Sequence, residues 1–212
     1  MSGKVPTPIS PTVYLAIGLT SLLLGGAIMA FEMISSRFIS PYFGGGIFTW
    51  GAIIATVLTG MSAGYIVGGV AADRTHGVGG FGLLVIVAGG LIAATPHLVD
   101  AVFPVLMDRV QDARWAALAG AVAILLLPTF LLSMHSPFEI RLLLRSTASA
   151  GRTVGVLNGI ATIGAIIGTI GTSFFLIPSF GSKALSLGIG CAVAFAGVVY
   201  IAVSVSRRGQ AD

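Results

Sequence analysis

Residues 31–74 read FEMISSRFISPYFGGGIFTWGAIIATVLTGMSAGYIVGGVAADR, and the rest of the chain is organised around them. An apolar helix runs into Glu32 and Arg37, and Pro41 with Gly44, Gly45 and Gly46 turns the chain back. A second apolar helix follows and stops at Asp73–Arg74. Glu32 closes about twenty apolar residues, where a carboxylate is costly unless it has a partner or reaches water. Arg37 lies five positions on, about 140° around a helix of 3.6 residues per turn. The two therefore pair only if the helix unwinds near Ser35–Ser36; otherwise each has its own partner or snorkels to lipid headgroups. Gly60, Gly64 and Gly68 recur at every fourth position, so they line one helix face where a second backbone can approach closely.

Working outward, the composition sets the class. Of the 212 residues 56% are hydrophobic and 8% charged, against about 25% charged in a soluble domain, and the mean hydropathy is +1.03. This is the composition of an integral membrane protein with the lipid bilayer as its first partner. The 11 basic residues are scattered through loops and form no patch interleaved with aromatics, so nucleic acid is excluded as a partner. Cys191 is the only cysteine, which removes a disulfide framework and any cysteine-based metal site. The first apolar segment has only Lys4 before it and no small-x-small cleavage pattern, so it is expected to span and not to be removed.

The hydropathy pattern predicts an all-α membrane domain over residues 12–206, between a flexible proline-rich lead-in (1–11) and a polar cytoplasmic tail (207–212). Six spans are expected, near 12–34, 48–72, 79–99, 115–134, 154–177 and 184–204, each able to cross about 30 Å of hydrocarbon. Two mixed segments, DAVFPVLMDRVQDAR after Pro96–His97 and SPFEIRLLLRSTASAGR after Met134, have the pattern of short amphipathic helices lying in the interface. Lys4, Arg74, Arg141, Arg145, Arg152, Arg207 and Arg208 fall on one side of this arrangement, and Arg37, Arg109, Arg114 and Lys183 on the other. Seven against four places both termini in the cytoplasm.

Little in the chain has the pattern of catalysis. His76, His97 and His135 sit at different helix ends with no metal-site spacing, and are expected to be interfacial or capping residues. Ser133, His135 and Glu139 are near in sequence, but a hydrolase triad is defined by geometry and not by proximity in the chain. Asn158 stands alone inside the fifth span, where it either hydrogen-bonds across helices or lines a substrate path. Gly155 and Gly159, with Gly164 and Gly168, form a second stripe expected to pack helices closely. Few charges are expected in the membrane, which argues against a proton-coupled pump.

Two resemblances add to this. GGVAADRTHG is similar to the Gly-x-x-x-Asp-Arg/Lys signature between helices two and three of major-facilitator transporters, here Gly69, Asp73 and Arg74, and three helices plus three resemble the inverted repeats within half of such a transporter. More extensively, five blocks resemble the membrane domain of bacterial fused major-facilitator/spermidine synthase-like proteins. They are FEMISSRFISPYFG, the region of Trp50, GMSAGYIVGGVAADR, SPFEIRLL (Pro137, Arg141) and GRTVGVLNGIATIGAIIGTIGTSFFLIPSFG (Gly151 to Gly181). In those proteins a helical membrane part precedes a cytoplasmic aminopropyltransferase-like domain. The sequence to Asp212 holds no strand–glycine-loop–helix unit and no paired carboxylates for an amine substrate, so the resemblance implies the membrane half without the catalytic half, and no cofactor.

Three roles follow as expectations. The first is a non-catalytic bacterial inner-membrane subunit that serves a separate cytoplasmic enzyme or a membrane complex. Its docking surface would be Pro137, Glu139, Arg141, Arg145 and Arg152, together with Asp73–Arg74 and the tail. The second is a small-molecule, amine-type transporter working as a homodimer, with Asp73 and Arg74 as a charge latch. The third is a structural subunit packed through its glycine faces.

Overall fold

In a computed structural model the protein is described at residues 11–74, 79–144 and 150–208, with the side chains of 206–208 set aside. Lys4, His76, Arg145 and the side chains of Arg207 and Arg208 lie outside the described residues, as do most of the lead-in and the tail. Everything described is helix or short connection, with no strand. The helices are α1 (Pro11–Phe43), α2 (Ile47–Arg74), α3 (Gly79–Arg109), α4 (Ala113–Ala121), α5 (Leu127–Ser133), α6 (His135–Leu143), α7 (Ala150–Gly171) and α8 (Ile177–Arg208). One wide π turn, Val122–Leu126, joins α4 to α5, and another, Thr172–Leu176, joins α7 to α8.

Among the described residues, five helical stretches are long and apolar enough to cross a membrane: Pro11–Phe43, Ile47–Arg74, Gly80–Arg109, Ala113–Leu143 and Ala150–Val205. The last has 56 residues, about 84 Å of helix at 1.5 Å per residue, and it breaks at Gly181, where φ is 72° and ψ 159°. Only glycine adopts that backbone readily. Beyond it the chain reverses. Gly25 and Gly26 on α1 meet Ala161 and Gly164 on α7 in ascending order, so α7 is parallel to α1. Gly82 and Gly89 on α3 meet Gly197 and Gly190 on α8 in descending order, so that pair is antiparallel. On α2, Gly60, Gly64 and Gly68 meet Thr129, Ser133 and Met134 in ascending order, so α2 is parallel to α5 and α6.

Prolines shape these helices, and Pro96, expected to mark the end of the third span, lies inside one. Both π turns stop two residues before a proline, Pro128 and Pro178. Proline lacks the N–H that would bond four residues back and its ring crowds that carbonyl, so the helix widens by one residue upstream. Pro96 does not end its helix: α3 continues to Arg109. The carbonyl that Pro96 leaves without a donor belongs to Ile92, and the buried Ser186 hydroxyl of α8 donates to it. The segment after Pro96 is therefore no separate interfacial helix. The second amphipathic stretch is also redrawn. His135, Phe138, Glu139 and Leu143 are buried in the bundle, because α6 prolongs α5 through one turn at Met134 and presents that face to the core.

The core runs from Ile17, Leu24 and Phe31 on α1 through Ile53, Val85, Ile92, Ile124 and Leu125 to Val193 and Tyr200. Leu19, Ile54, Leu58, Leu83, Ile166, Phe195 and Val198 are exposed around the outside, where a bilayer makes such surface favourable. Of the two predicted glycine stripes, Gly60, Gly64 and Gly68 are buried. The α7 stripe divides. A methyl on Gly164 would collide with the Leu22 backbone and one on Gly168 with Gly26, whereas Gly155 and Gly159 point outward with nothing near them. Helix rotation decides this: 155 and 159 follow one face while 157 and 164 follow the face on α1.

Two expectations follow. Ser186→Ala should lower the detergent melting temperature by the equivalent of about 1–3 kcal/mol, the cost of a buried unpaired carbonyl. In a Pro96→Ala background, which restores a backbone donor to Ile92, most of that cost should vanish; equal costs in both backgrounds would refute the pairing. Gly164→Leu should cost about 1–3 kcal/mol or more through overpacking, and Gly155→Leu close to nothing, measured by the same melts.

Candidate functional site

A half-open cleft of about 440 Å³ is walled by four helices: Gly25, Ile28 and Met29 from α1, Met61 and Tyr65 from α2, His135 to Pro137 and Ile140 from α6, and Asn158, Ala161, Thr162 and Ala165 from α7. The spacings follow from helix geometry. Residues 25, 28 and 29, like 61 and 65 and like 158, 161, 162 and 165, recur at three and four positions and so share a face.

Its polar groups are few and placed. Ser136 Oγ donates to Asn158 Oδ1 at 3.1 Å, which ties α6 to α7 and leaves the Asn158 amide N–H groups free to donate. His135 Nδ1 lies 2.9 Å from Leu132 O. A carbonyl only accepts, so in the neutral ring Nδ1 carries the proton and Nε2 is a bare acceptor. Nε2 is buried and has no partner among the described residues. Ser133 Oγ donates to Thr129 O at 2.7 Å, so serine and histidine are each engaged with backbone and form no nucleophile–base pair.

One turn beyond His135 on α6, Glu139 is buried at 1% exposure. Tyr200 of α8 donates its hydroxyl to Glu139 Oε1, and Ser21 of α1 lies beside the carboxyl. Oε2 has no partner among the described residues. Phe81 stacks on Phe138 with centroids 4.7 Å apart and meets Tyr200 edge-on at 5.1 Å, which seals the pair from one side. Glu139 therefore cannot belong to an exposed docking surface: the helix that carries it turns that face inward. Glu32 is buried on α1, on the same stripe as Gly25, Ile28 and Met29. Glu139 thus joins Glu32 as a second buried carboxyl, one that the sequence placed on a surface segment.

The remaining candidates lie elsewhere. Arg37 is exposed, and the helix does not unwind between it and Glu32; Ser35 and Ser36 donate back to Phe31 O at 2.8 Å and Met33 O at 2.7 Å. Asp73 meets Arg141 of α6 at 3.7 Å with both side chains largely exposed, a pair worth about 0–1 kcal/mol. Arg74 and Arg152 are exposed, Pro137 half-buried. At the opposite end Arg114 lies over the Phe48 ring at 4.9 Å, beside the exposed Trp115, and Lys183 meets Asp100 at 3.6 Å. Tyr65, Tyr200 and the role of His135 escaped sequence reading. The spacing of His135 and Glu139, four apart on a mostly apolar helix, was the available signal.

No protein-family model, curated protein or solved structure matches the chain. Within the site itself, Tyr200→Phe should remove the hydroxyl that donates to Glu139 Oε1. The expected loss is about 1–3 kcal/mol, read as a lower melting temperature. Adding Glu139→Leu should recover part of it by removing the orphaned group, and a further loss would overturn this account.

Proposed function

We propose that the chain is a half-transporter-like membrane unit of six crossings that binds a small organic molecule in the cleft between α1, α2, α6 and α7. The observation that carries this is the convergence of His135, Ser136, Asn158 and Tyr65 on one cleft inside an otherwise apolar bundle. Polar groups at membrane depth are costly and mark ligand paths. A cleft of this volume falls within the range of about 300–1,000 Å³ typical of small-molecule sites.

Support for six crossings comes from helix direction. The stretch Ala150–Val205 is too long for one crossing, and its two parts run parallel to α1 and antiparallel to α3. Exchanging α1–α3 with α4–α8 maps the α1–α7 pairing onto that of α2 with α4–α6, and the α3–α8 pairing onto itself. That is the pattern two inverted three-helix repeats would make. The start of α1 and the end of α8 share one end, where Thr20 lies beside Tyr200; the arginine count reads this end as cytoplasmic. We read the chain as non-catalytic, with a second copy closing the open side of the cleft. A second reading, a membrane subunit docked to a separate cytoplasmic protein, is favoured by the exposed Arg74, Arg141 and Arg152 at that same end.

Single cysteines in a Cys191→Ser background test the crossings. Gly46→Cys, Gln111→Cys and Lys183→Cys should all react with an impermeant maleimide on intact cells, and Arg152→Cys only after lysis. Silence at Lys183→Cys under both conditions would bury that turn in the bilayer and remove the sixth crossing. For the cleft, soluble compounds that raise the melting temperature of the native chain should not raise that of Thr162→Trp, which fills the cavity. Equal stabilisation of both proteins would move binding elsewhere.

A further inference from the structure

The acidic side chains inside the bundle have no basic counterpart there. Every described arginine, lysine and aspartate side chain is exposed. The buried ionisable groups other than His135 and Tyr200 are the carboxyls of Glu32 and Glu139, and no lysine or arginine pairs with either among the described residues. Neither lines the cleft itself, but each stands one turn from a lining residue on the same helix. Glu32 is four residues from Ile28 and three from Met29 on the cleft stripe of α1, and Glu139 is four from His135 on α6. Ser21, beside Glu139, and Glu32 are eleven residues apart on α1, about 16 Å at 1.5 Å per residue. The cleft opens between these two levels.

The unfilled hydrogen-bonding groups point the same way. Of the four buried atoms without a partner among the described residues, Thr56 Oγ1 and Thr172 Oγ1 lie outside the cleft lining, while His135 Nε2 belongs to it and Glu139 Oε2 is one turn away on α6. The wall opposite is soft and apolar, with Met29, Met61 and the Tyr65 ring, surfaces that suit a hydrocarbon body and, for the ring, a cation above its face. A bare metal ion is poorly served, since hard cations need about six oxygen ligands and the lining offers few.

We propose that the cleft takes an organic cation, a protonated amine on a modest apolar body, whose N–H donates to His135 Nε2 and whose charge is balanced by Glu32. This rests on the cleft being the ligand site. Anions are disfavoured by the same two carboxyls, and neutral alcohols satisfy the histidine without balancing the charge. In a medium of low dielectric the charge term decides among the three.

The test is equilibrium dialysis of the detergent-purified full chain against radiolabelled 2-phenylethylamine, with 2-phenylethanol and 3-phenylpropanoate as matched competitors. Saturable amine binding is expected, with neither competitor displacing it at tenfold excess. Glu32→Gln should weaken binding at least tenfold, Glu32→Asp less, and the surface change Lys183→Gln not at all. Circular dichroism and size-exclusion profiles equal to those of the native chain qualify each variant. Unchanged affinity in Glu32→Gln, or displacement by alcohol or carboxylate as effective as by unlabelled amine, overturns the cation assignment and leaves the cleft standing. Amine binding that survives Thr162→Trp, or no saturable binding of the amine to the folded native chain, overturns the assignment together with the site it rests on.

Discussion

Backbone-to-backbone approach at glycine is the contact on which this bundle depends. Between apolar helices in lipid there is little hydrophobic gain from association, so packing and hydrogen bonding must supply it. Here α1 meets α7 at Gly25, Gly26, Gly164 and Gly168, and α3 meets α8 at Gly82 with Gly197 and Gly89 with Gly190. A single methyl would overlap a facing carbonyl or backbone atom at all of these positions but Gly26, where it would press tightly on the Gly164 carbonyl. The glycine sites of α3 and α8 are seven residues apart in each helix, so two antiparallel helices match over two turns. The order of the helices around the bundle, and hence which faces border the cleft, follows from these contacts.

Close packing also governs the polar groups. In a bilayer interior a freed carbonyl has no water to turn to. Ser186 answers the carbonyl left by Pro96, and serines and threonines elsewhere fold back on their own helices, as Ser35 does on Phe31 and Thr95 on Leu91 at 3.1 Å. Four buried side-chain atoms among the described residues have no partner, Thr56 Oγ1, Thr172 Oγ1, His135 Nε2 and Glu139 Oε2, and the last two stand one turn apart on α6. A buried orphan costs about 1–3 kcal/mol, and that cost is tolerable where a ligand or proton can answer it. The concentration of such groups on α6 is why this helix, and not the exposed Asp73–Arg74 pair, is the centre of the functional reading.

The membrane class and the all-helical nature were legible in the sequence because hydropathy over about twenty residues is a local property. The same holds for the glycine face at 60, 64 and 68. Boundaries were less legible. Pro96 and Pro104 lie within α3, where sequence reading ended a span, because the donor that rescues the carbonyl before Pro96 comes from a helix some ninety residues away in sequence. The amphipathic pattern of 137–144 was visible, but its partner was not: the charged and apolar residues alternate as well for a helix on a membrane surface as for one tucked against α1, α2 and α7.

The sequence by itself determined the solvent in which this protein lives, the positions of the turns at Gly44 and near Gly181, and the residues able to bear charge. Composition and local backbone preference suffice for those. Only the tertiary structure decided which charges are inside. Glu139, apparently a surface residue, is buried beside Tyr200, and Arg37, five positions from Glu32, faces out while Glu32 faces in. Whether a side chain meets lipid, water or a neighbouring helix depends on helix rotation and on partners distant in the chain. Those are fixed by which glycines interlock.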